Sequence, residues 1–273
     1  PFSAAVDVRG GGPGTRETDM LSLENSIGRA DAIVLSGGSA FGLDACSEIQ
    51  DLLSLDEKGY KVGKAIVPLV PGAVIFDLNI NDKPHVNIIG ELSPWRRLAN
   101  KAYVSANTDF LLGSFGAGCG ATTATLKGGQ GSTSWTQIFS NGEEYTIGAI
   151  VINNAVGNPL LNDGPHFLSA SLEFGNEFGG YGVSNDLYDN ILRAKRLPSS
   201  IDGNNVSSNT VIGVVATDAP VTRSNLKRLA IMAHDGIARS LNPAHTPMDG
   251  DTIFAITTCQ NIKDQVLENV DIL

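Results

Sequence analysis

The sequence predicts an α+β fold in which helices cover a layered, sheet-rich middle. Three observations carry that prediction. Short apolar runs rich in β-branched residues read as buried strands, an Asn-Gly pair joins two longer strand-like runs, and two segments repeat their apolar residues at helical spacing. In chain order, Phe2 to Val8 reads as a strand and leads into the glycine-rich turn Gly10 to Gly14. Arg9, Arg16, Glu17 and Asp19 cluster around that turn and read as a salt-bridged loop. Ala32 to Leu35 is an apolar strand that runs into Ser36-Gly-Gly-Ser-Ala-Phe-Gly42. The helix after it carries Phe41, Ala45, Ile49, Leu52 and Leu53 on one face. This stretch is not a G-x-S-x-G nucleophile elbow, because Phe41 takes the last glycine position, and it matches neither the dinucleotide nor the P-loop fingerprint. It reads as a close-packed turn at a helix N-terminus, with Gly37 and Gly38 placed to line a substrate pocket through backbone N–H groups.

Ile66 to Val70 and Ala73 to Asp77 are short strands separated by Pro71-Gly72, and Asn79 to Ser93 is polar loop. Ser93-Pro94 is an N-cap and N1 pair that opens a helix reaching Leu112. Gly116 to Gly131 is a second glycine-rich stretch and contains Lys127. A hairpin follows, Ser132 to Ser140 and Glu143 to Asn153 about the turn Asn141-Gly142, with Asn153 and Asn154 at its end. Asn176 to Ser208 is long, polar and irregular, the mark of a functional loop or a disordered linker. Val211 to Ala216 is a strand buried on both faces. A helix from Asn225 to Ser240 then presents Leu226, Leu229, Ala230, Ala233 and Ile237 as a core stripe, and Asp251 to Thr257 is a final buried strand.

Composition narrows the function. A chain of 273 residues with 42% hydrophobic and 18% charged residues suits one compact domain spanning residues 1–273. Its net charge of −10 argues against nucleic acid as a partner, since phosphate contact needs basic side chains. No apolar run is long enough to span a bilayer, and there is no basic-then-apolar leader, so no membrane partner is expected. Cys46, Cys119 and Cys259 are scattered without disulfide or metal-ligand spacing, which makes a reducing cytoplasm the default. No cofactor is called for.

Five blocks stand in a specific order: VDVRGGGPGTRETD, AIVLSGGSAFGLDA, GAGCGATTATLKGGQGS, IVINNAVG, and NTVIGVVATDAP with PAHTPMDGDTIFAIT after it. Together they resemble the self-processing L-aminopeptidase/D-esterase family, whose relatives include the nylon-oligomer (6-aminohexanoate) endohydrolases. The resemblance covers about Val6 to Thr258. It implies helix–sheet–sheet–helix layering, a four-layer αββα sandwich of the N-terminal-nucleophile kind. It also implies self-cleavage before a Ser or Thr, which here is the Asn209–Thr210 bond, giving pieces 1–209 and 210–273. Members extend further at both ends, so a trimmed piece or a naturally short member is expected.

The chemistry of such a cut is plain. A threonine hydroxyl needs a base to become a nucleophile. A chain-terminal threonine carries one, because its α-amine titrates at roughly 7.7–8.0, near the pH where general-base catalysis works best. Inside an intact chain the same nitrogen is an amide. Cleavage therefore creates the base and the site together.

The remaining roles come with the resemblance. Asn154 matches the oxyanion-stabilising asparagine, a kind of donor that contributes roughly 2.7–4 kcal/mol; the alternative is that Asn154 caps the strand and Asn153 donates. Asp249 and Asp251 match the polar pair that orients the terminal ammonium and hydroxyl, and extended backbone sends both carboxylates to one side; a turn-forming Asp-Gly competes with either. Lys127 either stabilises charge or anchors its loop, since nylon-oligomer hydrolases carry their lysine where Thr125 stands. Phe76 is a substrate-side position at which some relatives have Tyr. His245 with Asp249 and Asp251 is an acceptable metal-ligand set, but no second histidine lies nearby in sequence, His234 reads as structural, and no metal is expected. The implied substrates are short peptides, amino-acid amides or linear ω-amino-acid oligomers, acted on by a homo-oligomer of processed heterodimers. Acyl transfer of the ornithine acetyltransferase type and an uncleaved binding relative are the alternatives.

Overall fold

The computed structural model describes residues 1–78, 91–162, 164–185 and 209–259. Most of the polar loop expected over Asn79–Ser93, much of the segment Asn176–Ser208, and the chain from Gln260 onward lie outside the described residues. The strands are β1 Phe2–Val8, β2 Thr15–Arg16, β3 Arg29–Ala30, β4 Val34–Ser36, β5 Tyr60–Val62, β6 Ala65–Val67, β7 Gly72–Val74, β8 Gly129–Ile138, β9 Glu144–Asn154, β10 Thr210–Thr217 and β11 Thr252–Thr257. The helices are α1 Asp44–Leu55, α2 Pro94–Val104 and α3 Arg223–Ser240. Six strands form one sheet in the order β3-β1-β11-β10-β9-β8, and β2-β7-β4 form a second.

Side-chain alternation builds the layers. On β1, β10 and β11, Ala5, Val211, Ile253 and Ala255 face one way and pack on Leu226, Leu229, Ala230 and Ile237 of α3. Their neighbours Ala4, Val6, Ile212 and Phe254 face the other way and meet Ala73 of β7 and Ile75 just beyond it. The far side of the second sheet is covered by Cys46, Ile49 and Leu53 of α1 with Trp95 and Ala99 of α2, packed beside Val34. The stacking is therefore α3, large sheet, small sheet, then α1 with α2. This is the four-layer αββα sandwich, an α+β fold.

One connection matters most for the site. Strands β10 and β11 are parallel neighbours, with Ile212 opposite Thr252 and Thr217 opposite Thr257. Parallel neighbours need a crossover, and α3 supplies it. Its start is set by Thr222, whose hydroxyl accepts the Asn225 N–H at 3.2 Å. The crossover returns the chain so that the segment before β11 lies alongside the beginning of β10.

Several boundaries differ from the sequence expectation. Phe41 is not on the buried face of α1; it lies in a 3₁₀ turn, Ser39–Leu43, and stacks on Trp95 with ring centroids 6.0 Å apart. Helix α2 stops at Val104, well short of Leu112, and Asn107 then accepts the Asp109 N–H through its own side chain at 2.8 Å, a local bond that competes with helix. Strand β8 begins at Gly129, three residues before Ser132, because β9 is long enough to pair Gly129 with Asn153. The strand expected over Ile66–Val70 is the shorter β6, and its hairpin partner β5 was not expected. Among the described residues, no helix is long and apolar enough to cross a membrane.

Phe254 is fully buried between the two sheets. Replacing it by alanine is expected to cost about 3–5 kcal/mol. The check is denaturant unfolding, where the midpoint falls while the slope is kept.

Candidate active site

Three chain segments converge where β10 begins. Thr210, its first residue, pairs antiparallel with Asn154, the last residue of β9. One residue earlier, Asn209 bridges in parallel to Asp249, ahead of β11. Asn154, Asn209, Thr210, Asp249 and Asp251 are each at most 2% exposed. Polar groups this deep persist only if their hydrogen bonds are met, and each of these has identifiable partners.

The Asn209 backbone is held on both sides. Its N–H donates to the Met248 carbonyl at 3.2 Å, and its carbonyl accepts the Gly250 N–H at 3.1 Å. The same carbonyl accepts the Thr210 hydroxyl. The side chain that begins β10 and the carbonyl that precedes it are thus in direct contact.

Asn154 is oriented by two unlike partners. Its Oδ1 accepts the Thr122 N–H at 3.0 Å and its Nδ2 donates to the Phe76 carbonyl at 3.1 Å. An acceptor needing a donor and a donor needing an acceptor define which way the amide faces. One of the two Nδ2 hydrogens is used. Asn153, by contrast, turns its Oδ1 to the Ala155 N–H at 3.3 Å and caps the strand end.

The two aspartates divide the junction between them. Asp249 Oδ1 accepts the Val156 N–H at 3.1 Å, and its Oδ2 accepts the Thr246 N–H at 2.9 Å and the Thr246 hydroxyl at 2.6 Å. It ties the end of β9 to the loop before β11. Asp251 Oδ1 accepts the Val211 N–H at 2.7 Å, and its Oδ2 accepts the backbone N–H of His245 at 3.2 Å. The same Oδ2 lies 2.6 Å from His245 Nδ1, which donates because an ionised carboxylate only accepts. That bond raises the His245 pKa, against the opposing effect of burial and with the Asp251 charge adding to it.

The turn Gly10 to Gly14 is not a salt-bridged loop but a brace under the aspartates. The Gly12 N–H donates to the Asp249 carbonyl at 2.8 Å, and the Gly11 N–H to the Thr246 carbonyl at 3.1 Å. Gly10 has φ +82°, and a Cβ there would sit 2.4 Å from the Asp249 carbonyl oxygen. Only glycine lets the turn approach this closely. Of the charged residues around the turn, Arg9 pairs with Asp7, while Arg16 bonds Ser47 and Gln50 instead of an acid.

Other expected site residues are more distant. Phe76 is half-buried and reaches the centre through its carbonyl. The Gly38 N–H donates to Asp77 Oδ1 at 2.7 Å, so it braces the turn and is not open to a substrate; Gly37 is its half-buried neighbour. Lys127 is exposed, and its link to the site is by backbone, bridging to Thr122, whose N–H holds Asn154. Thr125 donates its hydroxyl to Asn158 Oδ1 at 2.6 Å. Sequence reasoning missed Thr246 as the partner of Asp249 and weighed His245 only as a metal ligand. Their positions three and six residues before the aspartates were the available signal. Among the described residues, no three His, Cys, Asp or Glu side chains are grouped to hold a metal ion.

A family model for peptidase family S58 matches residues 1–273. The chain belongs to peptidase family S58. An uncharacterized aminopeptidase of Mycobacterium tuberculosis is 39% identical over 254 residues, which are 93% of this chain and 69% of that protein. A 6-aminohexanoate-oligomer endohydrolase of Paenarthrobacter ureafaciens is 29% identical over 265 residues, with 93% and 65% of the two chains covered. Among solved structures, the L-aminopeptidase D-Ala-esterase/amidase of Ochrobactrum anthropi superposes with a TM-score of 0.65 at 24% identity, covering 95% of this chain and 61% of that one. That structure is described as a variant of the Ntn hydrolase fold, and this S58 chain shares the fold. The chain spans between 61% and 69% of the lengths of these three proteins.

Asn154→Ala leaves the Thr122 N–H and the Phe76 carbonyl without their partner. Asn154 itself is buried, and each of its two lost hydrogen bonds costs about 0.5–1.5 kcal/mol. The variant is expected to melt several degrees below the parent in a thermal scan.

Proposed function

We propose that this S58 chain cuts its own Asn209–Thr210 bond and then hydrolyses amide bonds with Thr210 as an N-terminal nucleophile. The observation that carries this reading is the contact between the Thr210 hydroxyl and the Asn209 carbonyl, with the Gly250 N–H on the same oxygen at 3.1 Å. A backbone donor on a carbonyl oxygen is what a developing oxyanion requires. Attack joins Thr210 Oγ1 to the Asn209 carbonyl carbon. The C–N bond breaks, and the departing nitrogen takes up the proton that the hydroxyl lost. Water then hydrolyses the resulting ester, leaving a carboxylate at Asn209 and a free hydroxyl beside a free amine at Thr210.

In the mature site the α-amine takes the hydroxyl proton as Thr210 attacks a substrate carbonyl, and passes it to the leaving amine. The second Nδ2 hydrogen of Asn154 faces the oxyanion. Asp251, bonded one residue along at Val211, tunes the pKa of the terminal amine, while Asp249 positions the strand ends around it. Lys127 acts through the loop that carries Thr122. Water releases the acyl group. Gly37 and Phe76 frame the side from which substrate arrives, and Gly38 braces the turn beside them.

The substrates fitting this reading are short peptides, amino-acid amides or linear ω-amino-acid oligomers. Two relatives support the range: the mycobacterial protein is named an aminopeptidase, and the Paenarthrobacter protein a 6-aminohexanoate-oligomer endohydrolase. A single domain cut into 1–209 and 210–273, assembly as a homo-oligomer of such pairs, and a cytoplasmic location belong to the same proposal.

Thr210→Ala is expected to stay one intact chain, whereas Thr210→Ser is cut at the same bond. Mass spectrometry with N-terminal sequencing of the smaller piece checks this, the expected start being Thr-Val-Ile-Gly in the parent and Ser-Val-Ile-Gly in Thr210→Ser. Cleavage of the alanine variant at residue 209 would show that the cut is not the work of Thr210.

A further inference from the structure

We propose that His245 is a positioning residue for the Thr210 amine: it fastens the Asp251 carboxylate beside the junction and offsets its negative charge. The proposal rests on the reading that a free amine forms at Thr210.

The geometry singles out His245 among the charged groups near the site. Asp251 has both oxygens committed, Oδ1 to the Val211 N–H at 2.7 Å and Oδ2 to the His245 ring at 2.6 Å. Val211 is the residue beside the new terminus. A buried carboxylate there with no counter-charge would hold a proton on the neighbouring amine and raise its pKa. An amine that serves as the base must instead be free of its proton near neutral pH. Imidazolium at His245 makes the Asp251 pair neutral as a whole and removes that bias.

The groups around His245 leave it this role. From α3, the His234 ring meets it edge-on, with centroids 4.9 Å apart. His234 Nε2 donates to the Asp7 carbonyl at 3.1 Å, and its Nδ1 is buried without a partner among the described residues, the arrangement of a neutral ring. Burial lowers the His234 pKa in the same sense. From β1 and the turn after it come Asp7 and Arg9, and from α3 Lys227. Asp7 is already matched, with Lys227 Nζ and Arg9 Nε each 2.7 Å from its carboxylate. Burial works against that carboxylate's charge, but Lys227 and Arg9 outweigh it and hold its pKa below the usual value. Arg9 opposes a charge on His245 only weakly, and Asp251 is the counter-ion that remains. The elevated His245 pKa has a defined pH sense. The pair's contribution to stability is complete below the ordinary histidine value of about 6.5 and is lost as pH rises through the elevated one.

The test compares His245→Asn with the parent. Asparagine keeps an N–H donor for Asp251 but carries no charge, so a merely structural role survives the change and an electrostatic one does not. The readout is an NMR titration of the α-amine in mature, threonine-labelled protein. Its pKa is expected to rise by on the order of one unit in His245→Asn, and to fall back when Asp251→Asn is added. An amine that titrates where the parent's does overturns the proposal, as does a folded His245→Asn chain that fails to mature. A second measurement needs no maturation. In Thr210→Ala the His245 ring is expected to titrate above its ordinary value, and Asp251→Asn to bring it down; a ring titrating at or below the ordinary value overturns the proposal. If the parent never exposes an amine at residue 210, the underlying reading fails, and the ring titration tells that failure from this one.

Discussion

The junction at residues 209–210 depends on one short stretch, Asp249-Gly250-Asp251, which hydrogen-bonds to the chain on both sides of it. Gly250 holds the Asn209 carbonyl, Asp251 holds the Val211 N–H, and Asp249 reaches past Thr210 to the Val156 N–H. A buried donor or acceptor left unmet here costs about 1–3 kcal/mol. The tripeptide therefore fixes where β9 ends, where β10 begins and how their backbones face each other. The glycine-rich turn after β1 exists to let a third backbone close over it.

That arrangement follows from topology. Strands β10 and β11 are parallel, so the residues before both strands lie at the same end of the sheet. Strand β9 is antiparallel to β10, which brings its final residue to that same end. A threonine, an asparagine and two aspartates separated by up to 97 positions are thus gathered at one sheet edge. The α3 crossover enforces this, and its cost is met by the apolar stripe it buries. All four side chains are buried at that edge. Near it, Asp251 lies against His245, and Asp7 against Lys227 and Arg9.

Much of this was readable in the residues, and the failures have physical causes. The alternation on Phe2 to Val8, the hairpin turn at Asn141-Gly142 and the stripe on α3 are local patterns, and local patterns survive into structure. Phe41 was misread because helical spacing alone does not report that Trp95, 54 positions away, offers its ring a stacking partner. The end of α2 was misread because a polar side chain, Asn107, competes for backbone that periodicity would have kept helical. Gly38 was assigned an open N–H, whereas Asp77 from the neighbouring strand connection occupies it. The charged residues beside Gly10 to Gly14 drew attention away from the glycines themselves, whose backbone N–H groups do the bracing.

By itself the sequence determined the main strands and helices in their order, the buried character of β10 and β11, and the short list of side chains with chemistry to offer. It did so because burial and backbone preference are written in spacing and residue type over a few turns of chain. Only the tertiary structure decided that the Thr210 hydroxyl lies on the Asn209 carbonyl, that Asn154 is held between Thr122 and Phe76, and that His245 belongs to Asp251. Those are choices among partners far apart along the chain, and the sheet's strand order makes them.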